Sequence, residues 1–240
     1  MCFTEDSREA RSAERSIAEI RHRIGEVRES LIDEIMVSAA ERLDPDPGGG
    51  GGAAAAESAI RLSLVDKALV EFAPVGDLLE IAAGDSRLSA RLSDRIGGGV
   101  RTLDRSPQVG IDLDMPWPNA ADCVLALDPY RGTADPIRLT RRLYGATARL
   151  LVLDTMLHDF PFSGWIQTLS DAPAPASGPR GRMAIELQPT YRGLIDSLYQ
   201  VGFEAVTEVV PAPSLFAALP YATPYHAHRR AVFVAQKRVP

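Results

Sequence analysis

Apolar positions near the start of the chain recur at helical steps. Ile17, Ile20, Ile24, Val27 and Leu31 follow one another at intervals of three and four, with charged residues between them. That spacing places a narrow apolar stripe on one side of a helix. The predicted helix runs from Asp6 to Leu43. Asp6 with Glu9 has the spacing of a capping box, and Asp44-Pro45-Asp46-Pro47 stops the helix because proline cannot continue it. Beyond Leu31 the stripe drifts to Ile35, Met36, Ala39 and Leu43. The stripe needs a partner: the chain's own main domain, a homodimer seam, or a lid over a site.

Gly48–Gly52 and Ala53–Ala56 form a low-complexity stretch. The glycines favour a flexible link, whereas the alanines suit the opening of another helix. The chain therefore divides into an amphipathic helix over 1–46, a Gly/Ala linker over 47–58 and an α/β domain over 59–240. Within that domain, strand-like and helix-like patterns alternate. Gly76–Ala82, Val100–Asp104, Cys123–Leu127, Leu150–Asp154, Glu204–Val210 and Ala231–Gln236 read as strands. Ser86–Ile96, Asp135–Tyr144 and Thr190–Val201 read as helices, the last stopped by Gly202. Such alternation predicts a mainly parallel, doubly wound sheet, with ligands bound beyond the carboxyl ends of its strands.

Composition narrows the function. A net charge of −6 offers no basic footprint for nucleic acid, and 45% hydrophobic content is ample for one core. Cys2 and Cys123 are too few for a disulfide framework, and no metal-ligating constellation is visible. No signal peptide and no apolar run long enough to span a membrane is present, which points to a cytoplasmic setting.

The chemistry concentrates at Leu78-Leu79-Glu80-Ile81-Ala82-Ala83-Gly84-Asp85-Ser86. A strand there runs into a turn of small residues and then a helix start. Small residues let the backbone approach a ligand, and the helix start offers unpaired N–H groups. Glu80 puts a charge near the core, which a ligand with donors or positive charge would explain. Asp104 ends the next strand, where a carboxylate suits a pair of vicinal hydroxyls such as those of a ribose. Asp112 follows, then Met115-Pro116-Trp117-Pro118.

This ordered set resembles the class I S-adenosylmethionine-dependent methyltransferases. Glu80, Ala82, Gly84 and Ser86 match their first, glycine-rich motif, and Asp104 their second acid. Asp112-Leu113-Asp114-Met115-Pro116-Trp117-Pro118-Asn119 matches their acid–Pro–aromatic–Pro segment. Gly145 before Arg149–Asp154 and the late Val201-Gly202-Phe203 also fit. The resemblance covers Gly76 to Gln236. It implies a Rossmann-like, seven-stranded sheet with its last strand antiparallel, and S-adenosylmethionine as cofactor. It further implies that Glu80 and the Ala82–Gly84–Ser86 loop hold the methionine part, Asp104 the ribose, and Asp112 with Leu113 the adenine. Two family glycines are here Ala82 and Ser86. Only Arg105 to Val109 separate Asp104 from Gly110, too few for a parallel crossover, so one helix and the strand after it are expected to be reduced or lost.

The expected activity is methylation of oxygen or nitrogen on a small-molecule acceptor. Candidate catalytic residues lie after the fourth and fifth strands of the family order: Asp128, Tyr130 and His158, with Asp159 beside them. Asp128-Pro129-Tyr130 partly matches an Asp-Pro-Pro-Tyr motif of amino-methylating relatives. The segments Phe160–Pro189 and Pro211–His228, irregular in pattern and rich in aromatic residues and proline, are expected to frame the acceptor pocket. Two alternatives stand beside this reading. One is a catalytically inactive scaffold working through its N-terminal helix. The other is a nicotinamide-dependent oxidoreductase, disfavoured because its glycine pattern would need glycines at Ala82 and Arg87.

Overall fold

The computed structural model describes residues 51–72, 76–82, 99–104, 111–133, 135–170, 184–211, 213 and 223–238. The N-terminal amphipathic helix, Gly84, Ser86 and the helix expected over Ser86–Ile96 lie outside the described residues, as do the side chains of Ala82 and Asp104.

The elements run in the order α1 (Gly51–Phe72), β1 (Leu78–Ala82), β2 (Val100–Asp104), β3 (Ala121–Leu127), α2 (Pro136–Ala146) and β4 (Thr147–Met156). They continue with β5 (Trp165–Ser170), β6 (Ala184–Pro189), α3 (Tyr191–Val201), β7 (Ala205–Val209), α4 (Thr223–His226) and β8 (Arg230–Gln236). The Gly/Ala stretch expected as a linker over 47–58 is helical from Gly51 onward, so its alanines do open the next helix.

Among the described residues the main sheet has six strands in the order β2-β1-β3-β4-β8-β7. β1 to β4 are mutually parallel, and β8 inserts antiparallel to both β4 and β7. Chain direction across the sheet reverses at β1: β2 lies on one side and β3 on the other. The strand the family places beyond β2 is absent among the described residues, in keeping with the short span after Asp104.

The sheet is buried on both faces, which its nearly continuous apolar strands require. On one face Ile60, Leu64, Val65, Ala68 and Leu69 of α1 pack with Leu78, Leu125, Val152 and Val232. On the other, Leu139 and Leu143 of α2 and Leu194 and Leu198 of α3 pack with Leu79, Val124, Leu151 and Phe233. The alternation along each strand sorts these side chains into two layers. α2 starts where Asp135 accepts a hydrogen bond from the Arg138 amide and Pro136 presets the first turn. α3 is capped by Thr190, whose hydroxyl accepts from the Gly193 amide, and ends at Gly202 with φ 117°.

The amino-terminal edge of the sheet is tied by Asp77. Its carboxylate accepts from the Asp122 amide at 3.0 Å and from Arg101 Nη2 at 2.8 Å. The Asp122 bond, followed by the Arg101 contact, holds the Asp77 carboxyl below its ordinary range although burial works the other way.

β5 and β6 form a separate antiparallel pair within the segment expected to be irregular. The pair docks on α3. The Thr190 amide donates to the Gly164 carbonyl, Thr190 Oγ1 accepts from the Gly164 amide, and Trp165 Nε1 donates to Ser197 Oγ. Gly193 faces this contact: a Cβ there would lie 2.2 Å from the Gly164 carbonyl oxygen.

Candidate functional site

The carboxyl ends of β1 to β4 form one edge, and the sequence-predicted acids reach it by different routes. Glu80 lies in β1 and is fully buried, on the face covered by α1. Asp104 ends β2, in register with Ala82 of β1. Glu80 and Asp104 therefore belong to adjacent strands, Asp104 at the carboxyl end of β2 and Glu80 two residues before that end of β1, beside the point where chain direction reverses. Such a switch point leaves a crevice in which ligands bind.

Asp112 lies in the loop before β3. Its exposed carboxylate accepts from the Asp114 and Met115 amides, at 2.8 and 3.3 Å, and so closes its own turn. Trp117 Nε1 donates to the Asp112 carbonyl at 3.4 Å. Leu113 is partly buried against the α2–α3 layer, and its carbonyl accepts from Arg142 Nη2 at 2.9 Å. The loop thus presents a hydrophobic side chain held from behind by α2.

A pocket of about 250 Å³ opens at the carboxyl ends of β3 and β4. Asp128, Thr155 and Arg230 lie at the sheet edge, and Leu187 to Pro189 of β6 line it from the docked strand pair. Tyr130, Arg131 and Met156 complete the lining. Asp128 follows β3 directly, with φ 51°, a left-handed backbone uncommon outside glycine. Its amide donates to the Asp154 carbonyl at 2.7 Å, which pins this turn to β4.

Of the three candidates, only Asp128 brings a charged group to this pocket. Tyr130 contributes its ring, but its hydroxyl pairs with Thr140 Oγ1 at 2.9 Å in the core. Burial raises the phenol well above its ordinary range, only partly offset by the Thr140 bond. Its ring also meets Trp165 edge-on at 4.8 Å. His158 follows β4, is held through its amide on the Pro189 carbonyl at 2.8 Å, and does not line the pocket. Its Nδ1 is buried without a hydrogen-bond partner, and its ring neighbours Phe160. Asp159 beside it is exposed.

Sequence reasoning missed the buried charges under this pocket. Asp154, fully buried, accepts from Arg230 Nε at 3.1 Å and Nη2 at 2.6 Å, and from the Tyr225 hydroxyl at 2.7 Å. Arg61 of α1 brings Nε to 2.9 Å from Asp154 Oδ2, but that N–H is not aligned as a hydrogen bond. Arg230 Nη2 stands 3.9 Å from Asp128 Oδ2. Burial disfavours the Arg230 charge, but the Asp154 carboxylate outweighs it and keeps the guanidinium protonated. Burial, and then the negative Asp154, push the Tyr225 hydroxyl far above its ordinary range. The available signal was a lone acid closing one apolar strand and a lone arginine opening another. They meet only because β4 and β8 pair antiparallel with Met156 opposite Arg230 and Asp154 opposite Val232, which sets both charges on one face.

No protein-family model matches the chain, and no curated protein matches it. Solved structures do. The chain is similar to the N-terminal domain of EvdMO1, crystallised in the presence of SAH and D-fucose. The identity is 14% over 75% of this chain and 83% of that one, with a TM-score of 0.50. It is also similar to an S-adenosylmethionine-dependent methyltransferase from Mesorhizobium loti, at 16% identity over 71% of this chain and 96% of that one, TM-score 0.46. A further match is the [4+2]-cyclase SpnF, at 16% identity over 76% of this chain and 82% of that one, TM-score 0.47. At 14% identity the likeness to the EvdMO1 domain speaks to fold. With its mainly parallel sheet and inserted antiparallel strand, the chain has the class I methyltransferase fold.

Proposed function

We propose that this protein is an S-adenosylmethionine-dependent methyltransferase acting on a small-molecule acceptor. The observation that carries the reading is the position of the pocket. It opens over the carboxyl ends of β3 and β4, and β3 pairs with β1, the strand at the switch point that carries Glu80 and adjoins β2 with Asp104.

The residues present fit the cofactor. Asp104 at the end of β2 and Glu80 in the neighbouring β1, two residues before its end, suit a ligand that bears a positive charge and vicinal hydroxyls. Glu80, with Ala82, Gly84 and Ser86, would hold the methionine part. Asp104 would bind the ribose, and Leu113 would offer an apolar contact to the adenine, with Asp112 shaping the loop around it. When bound, S-adenosylmethionine supplies a methyl group activated on a sulfonium. The protein's part is alignment and exclusion of water. In this reading Asp128 is the proton acceptor for the acceptor's hydroxyl or amine, since it brings a carboxylate to the pocket. Tyr130 shapes the wall with its ring, and His158 supports the junction between β4 and β6 from outside the pocket.

Calorimetry with S-adenosylhomocysteine tests the assignment. A charge-assisted hydrogen bond is worth about 1.5–3 kcal/mol. Asp104→Ala is therefore expected to weaken binding about 10- to 150-fold. Absence of binding to the unaltered protein at millimolar ligand would remove the cofactor and, with it, the enzymatic reading.

A further inference from the structure

Arg230 is a buried cation whose known partner uses only one of its edges. Nε and Nη2 share one side of the guanidinium, and Asp154 occupies that side with both oxygens. The other edge consists of Nη1 and the second hydrogen of Nη2. Asp128 Oδ2 stands 3.9 Å from Nη2, too far to accept a hydrogen bond. Arg230 and Asp128 both line the pocket, whereas Asp154 is sealed behind Arg230.

The second edge therefore has the geometry for a planar, two-oxygen anion. Arg131 adds another positive charge to the lining, while Leu187, Met156 and Pro189 give the remaining wall apolar surface. A volume of about 250 Å³ admits only a compact molecule.

We infer that the pocket takes a small carboxylic acid, its carboxylate on the edge of Arg230 that Asp154 leaves unused and its apolar body against β6. Resting on the methyltransferase reading, this names the acceptor class. The acceptor is a hydroxy- or amino-substituted carboxylate, oriented by Arg230 so that its nucleophile meets Asp128. Arg230 is here a specificity residue. Asp154, which fixes its angle, is a positioning residue.

Benzoate is the probe, and benzamide its uncharged counterpart of nearly equal shape. Binding is measured by calorimetry on the full chain, with and without saturating S-adenosylhomocysteine. Benzoate is expected to bind at least tenfold more tightly than benzamide. Arg230→Lys keeps the charge but loses the two-pronged edge, and is expected to erase that preference while leaving S-adenosylhomocysteine affinity unchanged. Arg131→Gln, at an exposed position, is expected to reduce it several-fold without threatening the fold. Equal binding of benzoate and benzamide overturns the inference. So does an unchanged benzoate preference in a folded Arg230→Lys protein. If Arg230→Lys does not fold, an unchanged preference in Arg131→Gln overturns it. Benzoate binding that depends on these arginines, in a protein indifferent to S-adenosylhomocysteine, would keep the anion site and discard the methyltransferase reading. The converse result would keep the cofactor and discard the carboxylate.

Discussion

Single residues at this site act through charges that cannot be removed one at a time. Asp154, itself closed off from water, balances Arg230 and Arg61. Removing one partner of a buried pair leaves the other uncompensated, at a cost of about 3–5 kcal/mol. Asp154→Ala is expected to lower unfolding free energy by that amount in urea titrations. Asp77 gives a smaller, pH-dependent effect at the opposite edge of the sheet. Its folded-state pKa lies below the unfolded 3.8, so its contribution is present above that value and fades as pH falls through the lower, folded one. Asp77→Asn is expected to flatten the acid limb of the stability–pH curve below about pH 4, as followed by circular dichroism. Cys123 is a core residue in β3, with burial raising its thiol to about 12 and Asp122 adding to the rise. In a Cys2→Ser protein, Ellman's reagent at pH 8 should label Cys123 only after unfolding.

Elements show where sequence patterns were readable and where they were not. The strands of the main sheet are near-continuous apolar runs and fall within a few residues of their expected limits, because burial on both faces leaves nothing else for them to be. Asp135 and Thr190 marked the starts of α2 and α3 through their own cap chemistry. β5 and β6 were illegible. Thr168, Gln167, Glu186 and Gln188 dilute the apolar pattern, and what holds the pair is a contact with α3 distant in sequence. Asp104 was placed at its strand end by spacing alone, but Asp112 was not readable as a turn-former, since an acid in a loop looks the same in either role. Gly193 tests the docked pair directly. A methyl group at 193 meets backbone, which cannot move aside. Gly193→Ala is expected to destabilise by about 1–3 kcal/mol. Because β6 lines the pocket, it should also weaken benzoate binding, with S-adenosylhomocysteine affinity unaltered.

At the scale of the molecule, the fold is layered, with α1 packed on one face of the sheet and α2 and α3 on the other. Fully burying a leucine- or valine-sized side chain contributes about 1.5–3 kcal/mol. α1 supplies Ile60, Leu64, Val65 and Leu69 to that face, so its removal costs about as much as the whole margin of an ordinary domain. A chain beginning at residue 73 is expected to show no cooperative melting by calorimetry. The buried charges also have a temporal consequence. Arg61, Asp128, Asp154, Tyr225 and Arg230 come from stretches far apart in the chain, so the cluster closes only after both ends of the domain have met. Interactions that form after the rate-limiting step govern how long the native state lasts and leave its rate of formation nearly untouched. Asp154→Asn should therefore steepen loss of structure in stopped-flow unfolding while the refolding limb of the chevron stays in place. The same charges that orient a ligand would then serve as the latch setting the protein's lifetime.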